Sequence, residues 1–216
     1  MESPIMSTFV KIVKKDMIKK CFSLLLFCSS FLSYSQVRDS VEWNTPYFRI
    51  WYSESLENPL SVRYAVACPD GTASRTGMDF YTLQGIHTSD DADYVANEWD
   101  KGHMAPAASF NCNKDMLYET FTYINSSLQQ QSLNRGVWKK LENRERYLAG
   151  FVEVQVFIRV EFDKVPPRVP TNAAIPKGYY KELKIGKVRE CYYFPNKAPK
   201  TKELDDYKCK CRNVIQ

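Results

Sequence analysis

The chain has 216 residues, long enough for one domain with a substantial core, and its 44% hydrophobic and 25% charged fractions are those of an ordinary globular protein. The formal net charge is +5, but five of the 30 basic and only two of the 25 acidic residues fall in residues 1–35; the rest carries 25 and 23, a net of +2, so bulk charge does not argue for a polyanionic partner. Only two histidines, His87 and His103, are present, which excludes three-histidine zinc centres and HExxH proteases, and no G-x-S-x-G, P-loop or G-x-G-x-x-G motif occurs.

Residues 1–35 read as a secretory signal peptide, whose features begin at Met17. Met17-Ile18-Lys19-Lys20 is a basic start, residues 21–32 are an apolar run too short for a comfortable membrane span, and Ser33-Tyr34-Ser35 places small residues where a signal peptidase reads. Cleavage is expected near Ser35–Gln36, with Met17 an alternative start that leaves residues 1–16 upstream, and an uncleaved anchor as the other reading. The expected domain is 36–216, secreted or periplasmic. It keeps five cysteines, Cys68, Cys112, Cys191, Cys209 and Cys211; an odd count in an oxidising compartment leaves at least one thiol free or paired between chains. Cys209 and Cys211 are too close for an easy mutual bridge. A zinc site there lacks a second CxxC or a nearby histidine.

Further along, residues 61–68 alternate as a strand, Pro69-Asp70-Gly71-Thr72 is a turn, and 84–97 is polar and loop-like. Residues 119–124 form a short aromatic, β-branched run. Residues 134–149 read as a helix with an apolar stripe of Val137, Leu141 and Leu148, flanked by Trp138. Residues 152–162 alternate strongly and are the clearest strand; Pro166-Pro167 ends it. Residues 179–194 predict two strands around a Gly186 turn, and the tail from Lys197 is polar. Strands, one prominent helix, then more strands make an α+β domain.

Between the loop and the helix lies Asp100-Lys101-Gly102-His103. Glycine before the histidine permits close approach of backbone or ligand, and a neutral imidazole takes a proton from water at neutral pH. Asp100 is placed to orient the ring or fix the local backbone. Alone, the histidine reads more readily as one hydrogen-bonded in a turn than as a base.

The stretch DKGHMAPAA, residues 100–108, resembles the signature of the DNA/RNA non-specific endonuclease family, the ββα-metal nucleases. A second block supports it: Thr120-Phe121-Thr122-Tyr123-Ile124-Asn125, then Gln129, then Asn134-Arg135-Gly136-Val137-Trp138-Lys139-Lys140-Leu141-Glu142, with Arg146 one turn on. The resemblance implies an α+β, ββα-metal nuclease fold with a mixed or antiparallel sheet and a metal-bearing helix. It implies that His103 is the general base and that Asn134 is the protein's direct ligand to Mg²⁺, or to Mn²⁺ in its place. On a regular helix Glu142 stands about 80° round from Asn134, positioned for the waters of the ion, with Arg146 its i+4 neighbour. Asn125 matches an active-site Asn, and Arg75 is a plausible phosphate clamp. The partners implied are DNA and RNA, contacted through phosphates and cut without sequence preference to leave 5′-phosphate ends.

Each residue also has a plainer role: Asn134 a helix N-cap, Glu142–Arg146 an exposed ion pair, Arg75 a surface residue. The chain departs from the family pattern at Lys101, which stands for Arg, at Leu128, which stands for Pro, and in lacking a Thr-Gly-Pro turn after the helix. The alternative reading is a catalytically impaired, truncated member that serves as a nucleic-acid-binding or secreted interaction module.

Overall fold

Alternating apolar residues build one large antiparallel sheet. The computed structural model describes residues 39–213, and the targeting segment read over 1–35 lies outside them. The first strands are β1 (Ser40–Asn44), β2 (Phe48–Ser53) and β3 (Asn58–Ala65); β4 (Trp99–His103) and β5 (Ser126–Gln130) follow, then β6 (Val154–Glu161), β7 (Gly178–Ile185) and β8 (Val188–Pro195). Six of these pair in the order β1-β2-β3-β6-β7-β8, every pair antiparallel, while β4 and β5 form a separate two-stranded ladder. The α+β architecture expected from the sequence is the one observed, with antiparallel pairing throughout the named strands.

The inner face of the sheet carries Ile50, Tyr52, Val62, Val156, Ile158, Tyr179, Leu183 and Phe194, all buried. The helical segment closes over it. Val137, Trp138 and Leu141 are buried against the sheet, as their spacing predicts, and Leu148 packs at the edge. Trp138, fully buried, lies against Tyr179 and Phe194 at 5.4 and 5.5 Å between ring centres. The hairpin read around Gly186 is β7–β8, turning on that glycine at φ 56°.

Three expectations change. The run 119–124 is not a strand: a short helix α1 (Lys114–Glu119) ends there, and a single turn over Tyr123–Asn125 precedes β5. Side chains compete for the backbone, with the Thr120 hydroxyl donating to the Leu117 carbonyl and the Asn125 amide binding the Thr120 and Ala105 carbonyls. The strand comes instead just after it, as β5, whose five residues are all buried although four are Ser or Gln. The strand expected over 61–68 is shifted to Asn58–Ala65, because Cys68 leaves the ladder for a disulfide with Cys112.

Lastly, the helix expected over 134–149 is not regular. A turn over Gln131–Leu133 runs into a widened segment, Asn134–Trp138, in which Gly136 takes φ −106° and ψ −111°, and only then into α2 (Lys139–Ala149). A widened turn of this kind is a common device at functional sites. The 80° projection from Asn134 to Glu142 therefore fails, since the chain does not turn uniformly between them. The cysteines pair as Cys68–Cys112 and Cys191–Cys211, leaving Cys209 free and Cys211 unavailable to a zinc ion.

Candidate active site

A cavity of about 880 Å³ opens where the end of β4, the widened segment and α2 meet the loop of residues 73–80. His103, Asn134, Glu142, Arg146 and Arg75 all line it, and Asn125 does not.

His103 closes β4. Gly102 before it is dictated by packing: a Cβ there would stand 2.4 Å from Gln129 Oε1 and 2.5 Å from Gln129 Cβ, so any side chain would drive the two strands apart. The imidazole is held by rings, with Phe80 at 4.7 Å and Phe121 edge-on at 5.0 Å between centres. Its Nε2 is buried and has no hydrogen-bond partner among the described residues. Burial, and secondarily the charge of Arg75, push its pKa down to about 3, so the ring is the neutral base at physiological pH.

Asp100 does not orient that ring. Its Oδ2 accepts from Asn134 Nδ2 at 2.9 Å and from Arg135 Nε at 2.8 Å, and its Oδ1 accepts from Arg135 Nη2 at 2.6 Å. A carboxylate only accepts, so the amide nitrogen of Asn134 must face Asp100 and the amide oxygen is left free. The N-cap role also fails for Asn134: the residue that caps this helical segment is Gln130, whose side chain accepts from Leu133 N.

Glu142 is half-buried, and its pKa is raised to about 7, first by burial and also by the nearby Glu145 carboxylate, with Lys181 and Arg146 opposing the rise. Beneath it lies a buried charge system that sequence reading missed. Lys181 from β7 pairs with Glu145 at 2.8 Å, both wholly buried; the Tyr64 hydroxyl donates to Glu145 at 2.7 Å; and the ammonium rests on the Trp138 ring, 4.3 Å from its centre. Arg146 stands one turn from Glu142 but makes no ion pair with it; it donates to Asn143, and its Nη1 is buried without a partner. Arg75 is exposed at the cavity wall.

Asn125 serves the site from behind. Its Oδ1 accepts from Ala105 N at 2.8 Å, and its Nδ2 donates to the carbonyls of Ala105 and Thr120, each at 2.9 Å. With both Nδ2 hydrogens donated, Oδ1 accepting and no exposed surface, it anchors the chain just after His103.

The sequence model of the DNA/RNA non-specific endonuclease family matches residues 33–216. The chain belongs to this family. It is 29% identical to mitochondrial endonuclease G from Bos taurus over 141 residues, covering 64% of this chain and 43% of the relative, and 29% identical to the Homo sapiens protein over 120 residues, covering 54% and 39%. The mitochondrial nuclease EXOG of Danio rerio is 35% identical over 75 residues, which cover 33% of this chain and 22% of that protein. The matched regions span about two-fifths of the endonuclease G relatives' length. A chain in the crystal structure of the EndoG/EndoGI complex superposes with a TM-score of 0.71 at 21% identity, covering 78% of this chain and 80% of that one, so the folds are alike.

Within this family member, Lys101 has a local explanation. Its ammonium lies between the rings of Phe80 and Tyr123, at 5.4 and 5.3 Å, and pairs with Asp91, which also accepts from the Tyr123 hydroxyl at 2.5 Å. This seat uses a compact point charge, and nothing in it requires the planar fork of arginine. Leu128, which stands where the family has Pro, is a buried strand residue packed with Val169 and Ala173.

Proposed function

We propose that the protein is a secreted or periplasmic, Mg²⁺-dependent endonuclease that hydrolyses phosphodiester bonds in DNA and RNA with little sequence preference. The observation that carries this reading is that a neutral His103 and the free amide oxygen of Asn134, fixed by Asp100, face one cavity.

The donor set fits a hard, largely hydrated cation. Among the described residues no group of three or more His, Cys, Asp or Glu side chains forms a ligand cluster, whereas one amide oxygen suits an ion that keeps most of its waters; Asn134 would hold it, with the Glu142 carboxyl as acceptor for those waters. When bound, such an ion supplies Lewis-acid stabilisation to the phosphate and the leaving oxygen. Mn²⁺ satisfies the same donors.

His103 takes a proton from the attacking water. Its depressed pKa keeps it unprotonated, and a bound phosphodiester, being anionic, offsets the field of Arg75 and strengthens the base when substrate is present. Arg75 and Arg146 reach the cavity as phosphate ligands; the unpartnered Nη1 of Arg146 is a donor that an anion would satisfy. All of these groups address phosphate, which carries no sequence information. The expected products end in 5′-phosphate.

The competing reading is a non-catalytic module that binds nucleic acid or a protein. Purified protein incubated with plasmid and with RNA, in Mg²⁺ or EDTA, beside His103→Ala, separates the two. Metal-dependent cutting of both polymers, lost in the variant, is expected. Equal cutting by the variant, or none by the wild type, would overturn the catalytic claim.

A further inference from the structure

The outer face of the six-stranded sheet, turned away from the helix and lined by none of the cavity residues, has a composition that packing does not explain. Cross-strand registers place its side chains in rows. One row runs Trp51, Ser61, Arg159; the next runs Arg49, Arg63, Phe157. Arg49 and Arg63 are directly opposite, an arrangement in which like charges destabilise a sheet.

The guanidinium groups are laid on aromatic rings: Arg49 on Trp51 at 5.6 Å, and both Arg63 and Arg159 on Phe157, at 4.5 and 5.9 Å from the ring centre. Arg49 has only an exposed contact with Glu42 at 3.5 Å. Arg63 and Arg159 have no carboxylate partner among the described residues. Ser61, a small residue, stands between Trp51 and Arg159, and a groove of about 590 Å³ is lined by Arg63, Phe157, Glu182 and Lys184. The acids on the neighbouring strands are already engaged, Glu182 with Arg189 and Glu161 with Arg212.

We propose that this face is a second nucleic-acid surface that seats a single strand of DNA or RNA. Three guanidinium groups, whose only carboxylate contact is the exposed one from Arg49 to Glu42, match a run of phosphates, and the rings of the half-exposed Trp51 and of Phe157 beside them match unpaired bases. A duplex would present no base faces to them. The inference rests on the reading of the protein as one that acts on nucleic acid, but not on its catalysis. Its consequence is that a long substrate is held at two places, so that release after one cut does not free it.

The test uses the full chain carrying His103→Ala, so that binding is read without cutting, and a fluorescent oligothymidylate of about 8 nucleotides, within the range that one such site occupies. Two strands per chain are expected. Arg63→Glu with Arg159→Glu should reduce this to one, and should lower the salt slope of binding to a 40-nucleotide strand by about 0.7 for each arginine lost. The same pair of substitutions in the otherwise unaltered protein should leave cleavage of the short strand unchanged, which reports the fold and the cavity separately. Where charge reversal perturbs the sheet, Arg63→Gln with Arg159→Gln decides, with at least a fivefold weaker second site expected. One strand per chain in both proteins overturns the proposal, as does an equal loss from the control pair Lys187→Glu and Lys202→Glu. Loss of binding to anionic phospholipid vesicles, with oligonucleotide binding intact, overturns it in favour of a membrane surface. Failure of all the proteins to cleave would sink the catalytic reading while leaving the strand count to judge this one.

Discussion

Asp100 Oδ2 accepts a 2.9 Å hydrogen bond from Asn134 Nδ2, and this contact decides which atom of Asn134 the cavity sees. The two residues lie 34 positions apart, one on β4 and one at the start of the widened helical segment. The carboxylate also fixes Arg135, so it works as a clamp between hairpin and helix.

Removing that clamp should weaken metal affinity more than it weakens folding. Asp100→Asn can present its own amide in either sense and no longer forces the Asn134 oxygen outward. Loss of a partner that orients a ligand typically costs about 10- to 100-fold in metal affinity or activity. The Mg²⁺ concentration giving half-maximal cleavage should rise by about that factor, with the thermal midpoint little changed. An unchanged Mg²⁺ titration would show that Asn134 is oriented by something else.

How much of this was legible beforehand follows from how far each signal travels. β6, the β7–β8 hairpin and the Val137–Leu141 stripe were visible because one face of each meets the core, which writes its period into the residues. β5 was invisible. It is buried throughout, so it has no alternation, and several of its polar groups find partners far away in the chain: Ser127 donates to Asn58 at 2.8 Å, and Gln130 N donates to Asn196 at 2.9 Å. His103 and Asn134 stood out through a spaced motif. The partner of Asp100 did not, because a hydrogen bond between distant segments leaves no local pattern. The same is true of Lys181, which as a lysine in an alternating strand gives no sign that it points inward. Asn125 was found but misread: its spacing cannot distinguish a side chain aimed at substrate from one that grips the backbone behind it.

The buried histidine makes stability depend on pH in a calculable direction. His103 has a folded pKa of about 3, against about 6.5 when unfolded. Between these values the unfolded chain binds a proton that the folded chain refuses, so stability falls as pH drops from about 6.5 toward 3. Glu142 acts oppositely: its folded pKa of about 7 lies above its unfolded value, so its contribution is complete below about 4.3 and is lost as pH rises through 7. His103→Gln removes the first effect alone. Urea midpoints at pH 7 and pH 4 should show the variant gaining on the wild type at the lower pH; parallel shifts would remove the histidine as the cause.

The two disulfides should contribute unequally. Cys68–Cys112 closes 44 residues and Cys191–Cys211 closes 20. Loop-closure entropy assigns about 4 kcal/mol to the first and about 3 kcal/mol to the second. Cys68→Ser with Cys112→Ser should therefore lower the unfolding free energy more than Cys191→Ser with Cys211→Ser. The opposite order would mean that native contacts around Cys191, where the Tyr180 hydroxyl stands 3.2 Å from Sγ, outweigh the chain entropy.

The Lys181–Glu145 pair offers the sharpest stability test, because both charges are wholly buried. Lys181→Met keeps the stem but leaves Glu145 unpaired in the core, and breaking a buried pair from one side typically costs about 3 to 5 kcal/mol. Tyr64 would still donate to Glu145, but one neutral hydrogen bond cannot replace the ammonium. Lys181→Met combined with Glu145→Gln removes both charges and keeps an acceptor for Tyr64, so it should recover much of that loss. Denaturant unfolding of the two variants reads the difference directly. If the double variant is no more stable than the single one, the pair is not what the core requires, and the lysine is held instead by its contact with the Trp138 ring at 4.3 Å.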